Sequence, residues 1–264
     1  MSKNPLMLID THCHLDSLFN STNGFEAVQS HFHNQGISPH FIAMSVHSAD
    51  WDNLLQLSGI HSNIHTALGI HPWYATIESL NSLDELEALL RSKKVIALGE
   101  IGLDFSDQYR DTKQIQVDVF EAQLELASVF SKPISVHAVK SHNELYLRLR
   151  HSGARGVIHG LGSSLEVAQS YVDCGFKLGV NGIALRDNAR RYHALVKHFG
   201  PEHLVLETDY PNVLLPGLVK SNLDDIIPIS EQVALILDLD VKQAVAIFNQ
   251  NALEVFDLQL LTDT

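Results

Sequence analysis

A chain of 264 residues with 45% hydrophobic and 19% charged side chains has the composition of a globular protein and can bury a core without cross-links. Its longest apolar runs fall short of the roughly 18 residues of a membrane span, and the N-terminus lacks a signal-peptide segment, so we predict a cytoplasmic protein without a membrane anchor. A formal net charge of −13 argues against broad electrostatic attraction to nucleic acid, although a site that holds divalent cations is locally positive.

Short apolar runs alternate with segments of helical periodicity along the chain. Eight strands are predicted, at Leu6 to Thr11, His40 to Val46, His65 to Gly69, Val95 to Glu100, Pro133 to His137, Gly156 to His159, Phe176 to Val180 and Leu204 to Thr208. Helices are predicted at Phe25 to His33, Trp51 to Leu57, Leu83 to Leu90, Ile115 to Ala127, Asn143 to Leu149, Leu165 to Val172 and Ala189 to Phe199. The intervals between strands are long enough for the crossover helices that parallel strands require.

Eight strand-helix units over about 250 residues are typical of a (β/α)8 TIM barrel. We therefore predict a single α/β domain over residues 1–264, with its core at about 6–257. A doubly wound sheet is the alternative fold, but the first predicted strand is not followed by the glycine-rich loop of a dinucleotide site.

The first predicted strand ends in a histidine pair, His12 and His14. Residues two apart on a strand share a face, so both imidazoles can reach one ion. Imidazole suits zinc and other divalent transition metals, and an open catalytic site completes its shell with carboxylates and water. The pair therefore requires partners from elsewhere in the chain.

Residues with metal-binding or acid-base side chains stand at the ends of four other predicted strands and after the third. They are His71, Glu100, His137, His159, Glu207 and Asp209. Each alone could be a hydrogen-bonded barrel residue or a buried ion pair. A TIM barrel, however, gathers its active site at the carboxyl ends of its strands, and the joint pattern predicts a metal centre there.

The motifs that contain these residues resemble those of the TatD family of metal-dependent deoxyribonucleases, within the amidohydrolase-like barrels. They run in order from Leu8 to Phe256 and comprise Asp10 to His14, Gly69 to Pro72, Gly99 to Asp104, Pro133 to His137, His159 and Glu207 to Pro211. The resemblance implies a hydrolase with two divalent ions, which can be zinc, manganese, magnesium or nickel.

The resemblance also implies a role for each residue. One metal is expected on His12, His14, Glu100 and Asp209, and the second on Glu100, His137 and His159. A two-metal site activates a water and stabilises the oxygens of an in-line phosphoryl displacement, and Asp209 is the candidate general base. His71 is expected to contact a substrate phosphate or its own loop, and Glu207 to orient substrate or a neighbouring group.

The expected activity is 3'-5' exonuclease cleavage of single-stranded DNA or another phosphodiester. Three departures from the family concern the substrate: Val139 replaces an arginine, the loop after His159 lacks an aromatic ring, and the loop after Asp209 lacks basic residues. Side chains available for stacking or charge are few, namely Trp73, Tyr74, Phe105, Tyr109, Arg110, Lys140 and Tyr210. An amidohydrolase-type deacylase or esterase is the alternative, and a metal-bound partner protein without turnover is a third possibility.

Overall fold

Eight strands alternate with helices in the computed structural model, which describes residues 5–18, 24–160 and 162–259. The strands are β1 Leu6–Cys13, β2 Ile37–Met44, β3 Ile64–Leu68, β4 Val95–Asp104, β5 Ile134–Val139, β6 Gly156–Ile158, β7 Phe176–Val180 and β8 Leu204–Leu206. The helices are α1 Gly24–Asn34, α2 Trp51–Ile60, α3 Ile77–Leu80, α4 Leu83–Leu90, α5 Lys113–Val129, α6 His142–Leu149, α7 Leu165–Asp173, α8 Arg190–Phe199, α9 Ile226–Leu237 and α10 Val241–Phe256.

The strands form one sheet in sequence order, and every neighbouring pair from β1 to β8 is parallel. The sheet closes where β1 meets the segment after β8. There, the Asp10 carboxylate accepts hydrogen bonds from the amide and hydroxyl of Thr208, and the amide of Asp209 donates to the carbonyl of His12 at 2.9 Å. The predicted TIM barrel is confirmed.

The buried residues form two layers, one on each face of the sheet. The larger layer lies between the strands and the surrounding helices. The smaller one joins inward-facing strand residues such as Ile9, Ile42 and Val205 to Phe256 of α10. Because Asn249 of α10 accepts from the amide of Ile9 and donates to the carbonyl of Met7, the last helix is fixed beneath β1.

Two elements differ from the sequence prediction in ways that matter for the site. Strand β4 continues four residues past Glu100 to Asp104, which brings the Asp104 carboxylate to the same end of the barrel. Helix α9 was not predicted, and its Pro228 is tolerated because it lies in the first turn. Among the helices of the described ranges, none has the length and apolar character needed to cross a membrane.

Candidate metal centre

Four ligand atoms from three parts of the chain meet at the carboxyl end of the barrel. His12 and His14 share one face, and their Nε2 atoms are 3.3 Å apart. Glu100 Oε2 lies 3.3 and 3.4 Å from these two nitrogens, while Asp209 Oδ1 lies 4.0 and 3.7 Å from them. The structure therefore brings together the four residues predicted for the first ion.

The other carboxylate oxygen of Glu100 faces a second group of imidazoles. Its Oε1 lies 2.8 Å from His137 Nδ1 and 3.6 Å from His159 Nε2, the two residues predicted to share a second ion with Glu100. His71 Nε2 is also close, at 3.4 Å. Glu100 thus contacts the two groups with separate oxygens, which is the arrangement of a bridging carboxylate.

The electrostatics of the centre are dominated by one buried carboxylate among imidazoles. Glu100 is 2% exposed. Burial alone would raise its pKa, but His71, His12 and His159 more than offset that effect and hold the pKa well below the usual value. Burial lowers the pKa of His12, and it lowers that of His71 to about 4. The imidazoles of His12 and His71 are thereby favoured in the neutral form, which is the form that binds metals, whereas neighbouring carboxylates raise the pKa of His14, His137 and His159.

The second nitrogen of three imidazoles is held by a polar partner. His12 Nδ1 is 3.0 Å from Ser135 Oγ, and His137 Nε2 is 3.4 Å from Asp104 Oδ2. His159 Nδ1 is 3.2 Å from Glu207 Oε1. Such partners fix the tautomer and ring orientation of metal-binding histidines.

Glu207 is fully buried behind His159. Its Oε1 accepts from the amide of Gly160 at 2.7 Å and from Asn181 Nδ2 at 3.3 Å. A Cβ on Gly179 would lie 2.1 Å from Glu207 Oε2, so the glycine leaves the room that the carboxylate occupies. Of the two roles expected for Glu207, these contacts match the positioning of a neighbouring group and place the side chain away from a substrate.

Asp209 is carried by an unusual turn directly after β8. Its φ is +52°, a left-handed conformation that Asp tolerates better than most residues. Asn212 Nδ2 donates to Asp209 Oδ1 at 3.0 Å and orients the carboxylate.

His71 is held within its own loop, where its Nδ1 accepts from the amide of Trp73, and it is 3% exposed.

A cleft of about 440 Å³ opens above these groups. Its walls are formed by His14, Asp16, Val46, His71, Trp73, Tyr74, Glu100, His137, His159, Asp209, Pro211 and Asn212. The volume lies in the range of small-molecule binding sites, about 300 to 1,000 Å³. The metal-binding residues therefore form the floor of an accessible cavity.

Sequence reasoning assigned no role to Ser135, Asp104, Asn181 or Asn212. Asp104 could have been found, because it lies four residues after Glu100 and thus on the same face of a strand. The other three could not, since a serine or asparagine is common and only the barrel register brings these side chains to the centre.

The donor set fits divalent cations. Zinc binds nitrogen and carboxylate oxygen at about 2.0 to 2.2 Å, so two ligands of a tetrahedral ion are separated by roughly 3.3 Å. The separations among His12, His14 and Glu100 are 3.3 to 3.4 Å. A cation would also compensate the buried Glu100 carboxylate, which needs a partner charge.

Comparisons with known proteins agree with the fold and with a metal-dependent hydrolase. The family model described as TatD related DNase matches residues 9–257. YjjV of Escherichia coli K12, named an uncharacterized metal-dependent hydrolase, is 33% identical over 214 residues, which cover 79% of this chain and 81% of that protein. The crystal structure of YjjV has a TM-score of 0.86 and 26% identity, and the match covers 96% of this chain and 98% of that one.

A third relative carries a more specific name. The 3'-5' ssDNA/RNA exonuclease TatD of Edwardsiella piscicida is 35% identical over 150 residues, which cover 55% of this chain and 57% of that protein. The resemblance inferred from the motifs is confirmed: this chain belongs to the TatD family of metal-dependent hydrolases.

Proposed function

We propose that this protein removes nucleotides from the 3' end of single-stranded DNA by hydrolysing phosphodiester bonds with two divalent cations. The observation that carries the proposal is the position of Glu100, whose two oxygens face separate groups of ligands. A paired-cation site is suited to phosphodiesters, because both the attacking and the leaving oxygen require stabilisation.

The residues divide into two sets of ligands. His12, His14, Glu100 and Asp209 would hold one cation, and Glu100, His137 and His159 the other. When bound, the cations supply a water of lowered pKa and positive charge for the phosphate oxygens. The surrounding partners Ser135, Asp104 and Glu207 keep the imidazoles in position for this task.

Asp209 is the proton acceptor in this proposal. It lines the cleft, and 12% of its side-chain surface is exposed, compared with 3% for Glu100, so water reaches it. The hydrogen bond from Asn212 holds the carboxylate in one orientation. A general base positioned in this way contributes about 10²- to 10⁴-fold to a rate.

The substrate and polarity are supported by a relative and by the cleft. The exonuclease of Edwardsiella piscicida acts, by its name, on single-stranded DNA and RNA in the 3'-5' direction. The volume of the cleft, about 440 Å³, is that of a small-molecule site, and this size favours a strand end over an internal segment.

The carbonyl alternative rests on one observation. The residues that line the cleft include no Lys or Arg in the described part of the chain, and Lys140, which follows Val139, is exposed and 3.7 Å from Asp107 Oδ2. These walls therefore lack a fixed cationic side chain that could bind a phosphate. A deacylase or esterase does not need one, because its substrate carbonyl is uncharged.

Cleavage of end-labelled DNA tests the proposal. Metal-free protein is reloaded with manganese, magnesium or zinc and given single-stranded DNA labelled at the 5' or the 3' end, beside acyl esters. Metal-dependent stepwise shortening of the 5'-labelled strand is expected, with a loss of about 10²- to 10⁴-fold in Asp209→Asn.

The matched control is Asp84→Asn, which makes the same substitution at an exposed position of α4 and should retain activity. If the DNA stayed intact while the acyl esters were hydrolysed in a metal-dependent way, the nuclease proposal would be wrong and the protein would be a deacylase or esterase. Shortening of the strand from its 5' end would retain the reaction and overturn the polarity.

A further inference from the structure

Two aromatic side chains stand at the rim of the cleft without being buried. Trp73 is 47% exposed and Tyr74 is 43% exposed, and both line the cavity. The Trp73 ring is 4.6 Å from that of His71 and 6.0 Å from that of His137. The indole therefore lies beside the imidazoles of the metal centre.

Trp73 is held by a hydrogen bond and a ring contact although it is exposed. Its Nε1 donates to Asp104 Oδ2 at 2.7 Å, and its ring stacks on Tyr109 with centroids 5.5 Å apart and planes 17° from parallel. The same Asp104 oxygen faces His137 Nε2. One carboxylate thus fixes both the indole and a metal-binding imidazole in a defined relation.

This arrangement differs from that of the other tryptophan in the chain. Trp51 is 1% exposed, and its Nε1 donates to Ser45 Oγ, so its ring serves the core. Isolated exposed apolar residues are normal, but Trp73 is oriented by a buried carboxylate, supported by a second ring and directed to a cleft. These three features favour a binding role over simple packing.

We propose that Trp73, supported by Tyr109, is a stacking platform for the nucleobase at the substrate's 3' end, and that Tyr74 extends this aromatic surface. The inference rests on the proposed function and specifies how its substrate is held. Base stacking on an aromatic ring contributes about 1 to 3 kcal/mol per base and tolerates any sequence. It also supplies affinity that the cleft walls, which contain no Lys or Arg among the residues the structure describes, do not supply through charge.

The platform is tested by removing the base and the ring in turn. Single-stranded DNA with an ordinary 3'-terminal nucleotide is compared with the same strand ending in an abasic residue. The native protein is expected to prefer the ordinary end by roughly 5- to 150-fold in kcat/KM, mainly through KM. Trp73→Ala should lose this preference, and Trp73→Phe, which retains a ring without the N–H donor, should keep most of it.

A matched control uses Ile77→Ala, which removes exposed apolar surface four residues further on, at a position that is 73% exposed and outside the cleft walls. Its preference for the ordinary end should equal that of the native protein. Equal cleavage of both ends by the native protein would overturn the platform and leave the nuclease proposal intact. If Trp73→Ala and Trp73→Phe both lowered kcat equally for the two DNA ends and kept the native preference, Trp73 would serve only to hold Asp104. That result would likewise overturn the platform.

Binding without catalysis separates the two proposals. Because Trp51 is buried and Trp73 exposed, deoxyadenosine monophosphate is expected to quench the fluorescence of the metal-loaded native protein, and deoxyribose 5-phosphate is not. Trp73→Phe should show no quenching. Quenching without DNA cleavage would leave the platform standing and refute the nuclease proposal, whereas cleavage without quenching would refute the platform alone.

Discussion

Replacing Glu207 by glutamine is expected to weaken metal binding without unfolding the barrel. The glutamine side chain has nearly the same size, and its carbonyl oxygen can still accept the hydrogen bond from the amide of Gly160. What is lost is the negative charge 3.2 Å from His159 Nδ1. This charge and those of Asp209 and Glu100 outweigh the lowering effect of burial and raise the pKa of His159 to about 10.

The magnitude follows from the role of such partners. Mutating the residue behind a metal-binding histidine typically reduces metal affinity or activity 10- to 100-fold, which corresponds to about 1.4 to 2.7 kcal/mol. Full burial of Glu207 favours the upper half of that range, because the lost charge is not screened by water. The effect should fall on the ion that His159 holds and leave the first ion nearly unchanged.

Competition with a chromophoric chelator measures both binding steps in Glu207→Gln. Glu231→Gln, at an exposed position on α9, is the matched control and should bind like the native protein. Circular dichroism and thermal unfolding establish that the variant remains folded. Two binding steps of native affinity in a folded Glu207→Gln protein would refute the positioning role of this carboxylate.

Three further outcomes are expected. Asp104→Asn should reduce kcat/KM by about 10- to 100-fold, because it weakens the contact that orients the His137 ring. Steady-state kinetics at saturating metal measure this, and an unchanged kcat/KM would contradict it. Chelation should lower the melting temperature, since ligand at 1,000 times its Kd stabilises a fold by about 4 kcal/mol; calorimetry with and without chelator shows whether it does. Burial and the neighbouring His40 lower the pKa of His65 to about 4, so the neutral ring favours the folded state. The stability that the neutral His65 ring provides is complete above about pH 6.5 and decreases towards pH 4. Between pH 7 and pH 5, the free energy of unfolding in urea should therefore fall by about 2 kcal/mol less in His65→Gln than in the native protein.

The sequence was sufficient to predict the barrel and the residues that converge in it. Strand periodicity placed His12 and His14 on one face, and parallel strands necessarily bring their carboxyl ends together. The eight predicted side chains from His12 to Asp209 lie in or directly behind one cleft for that reason. Their roles as metal ligands, proton acceptor or substrate contact remain predictions that the geometry supports.

The substrate side of the cleft was harder to predict. The loop after β6 lacks the aromatic ring that the family has there, yet Trp73 and Tyr109 stack at the rim from the segments after β3 and β4. Both residues were recognised in the sequence as stacking candidates. Their contact depends on the relative positions of the two segments that follow β3 and β4, and no local sequence pattern determines these positions.

The junction between β1 and the end of β8 has a consequence for the order in which the protein becomes active. His12 and Asp209 come from opposite parts of the chain, and the backbone bond between them also closes the barrel. Helix α10, which follows later still, supplies the Asn249 side chain that fixes β1 from below. Asn249 must therefore be synthesised before both contacts exist, so the ligands on β1 and after β8 are held in place only when nearly the whole chain is available.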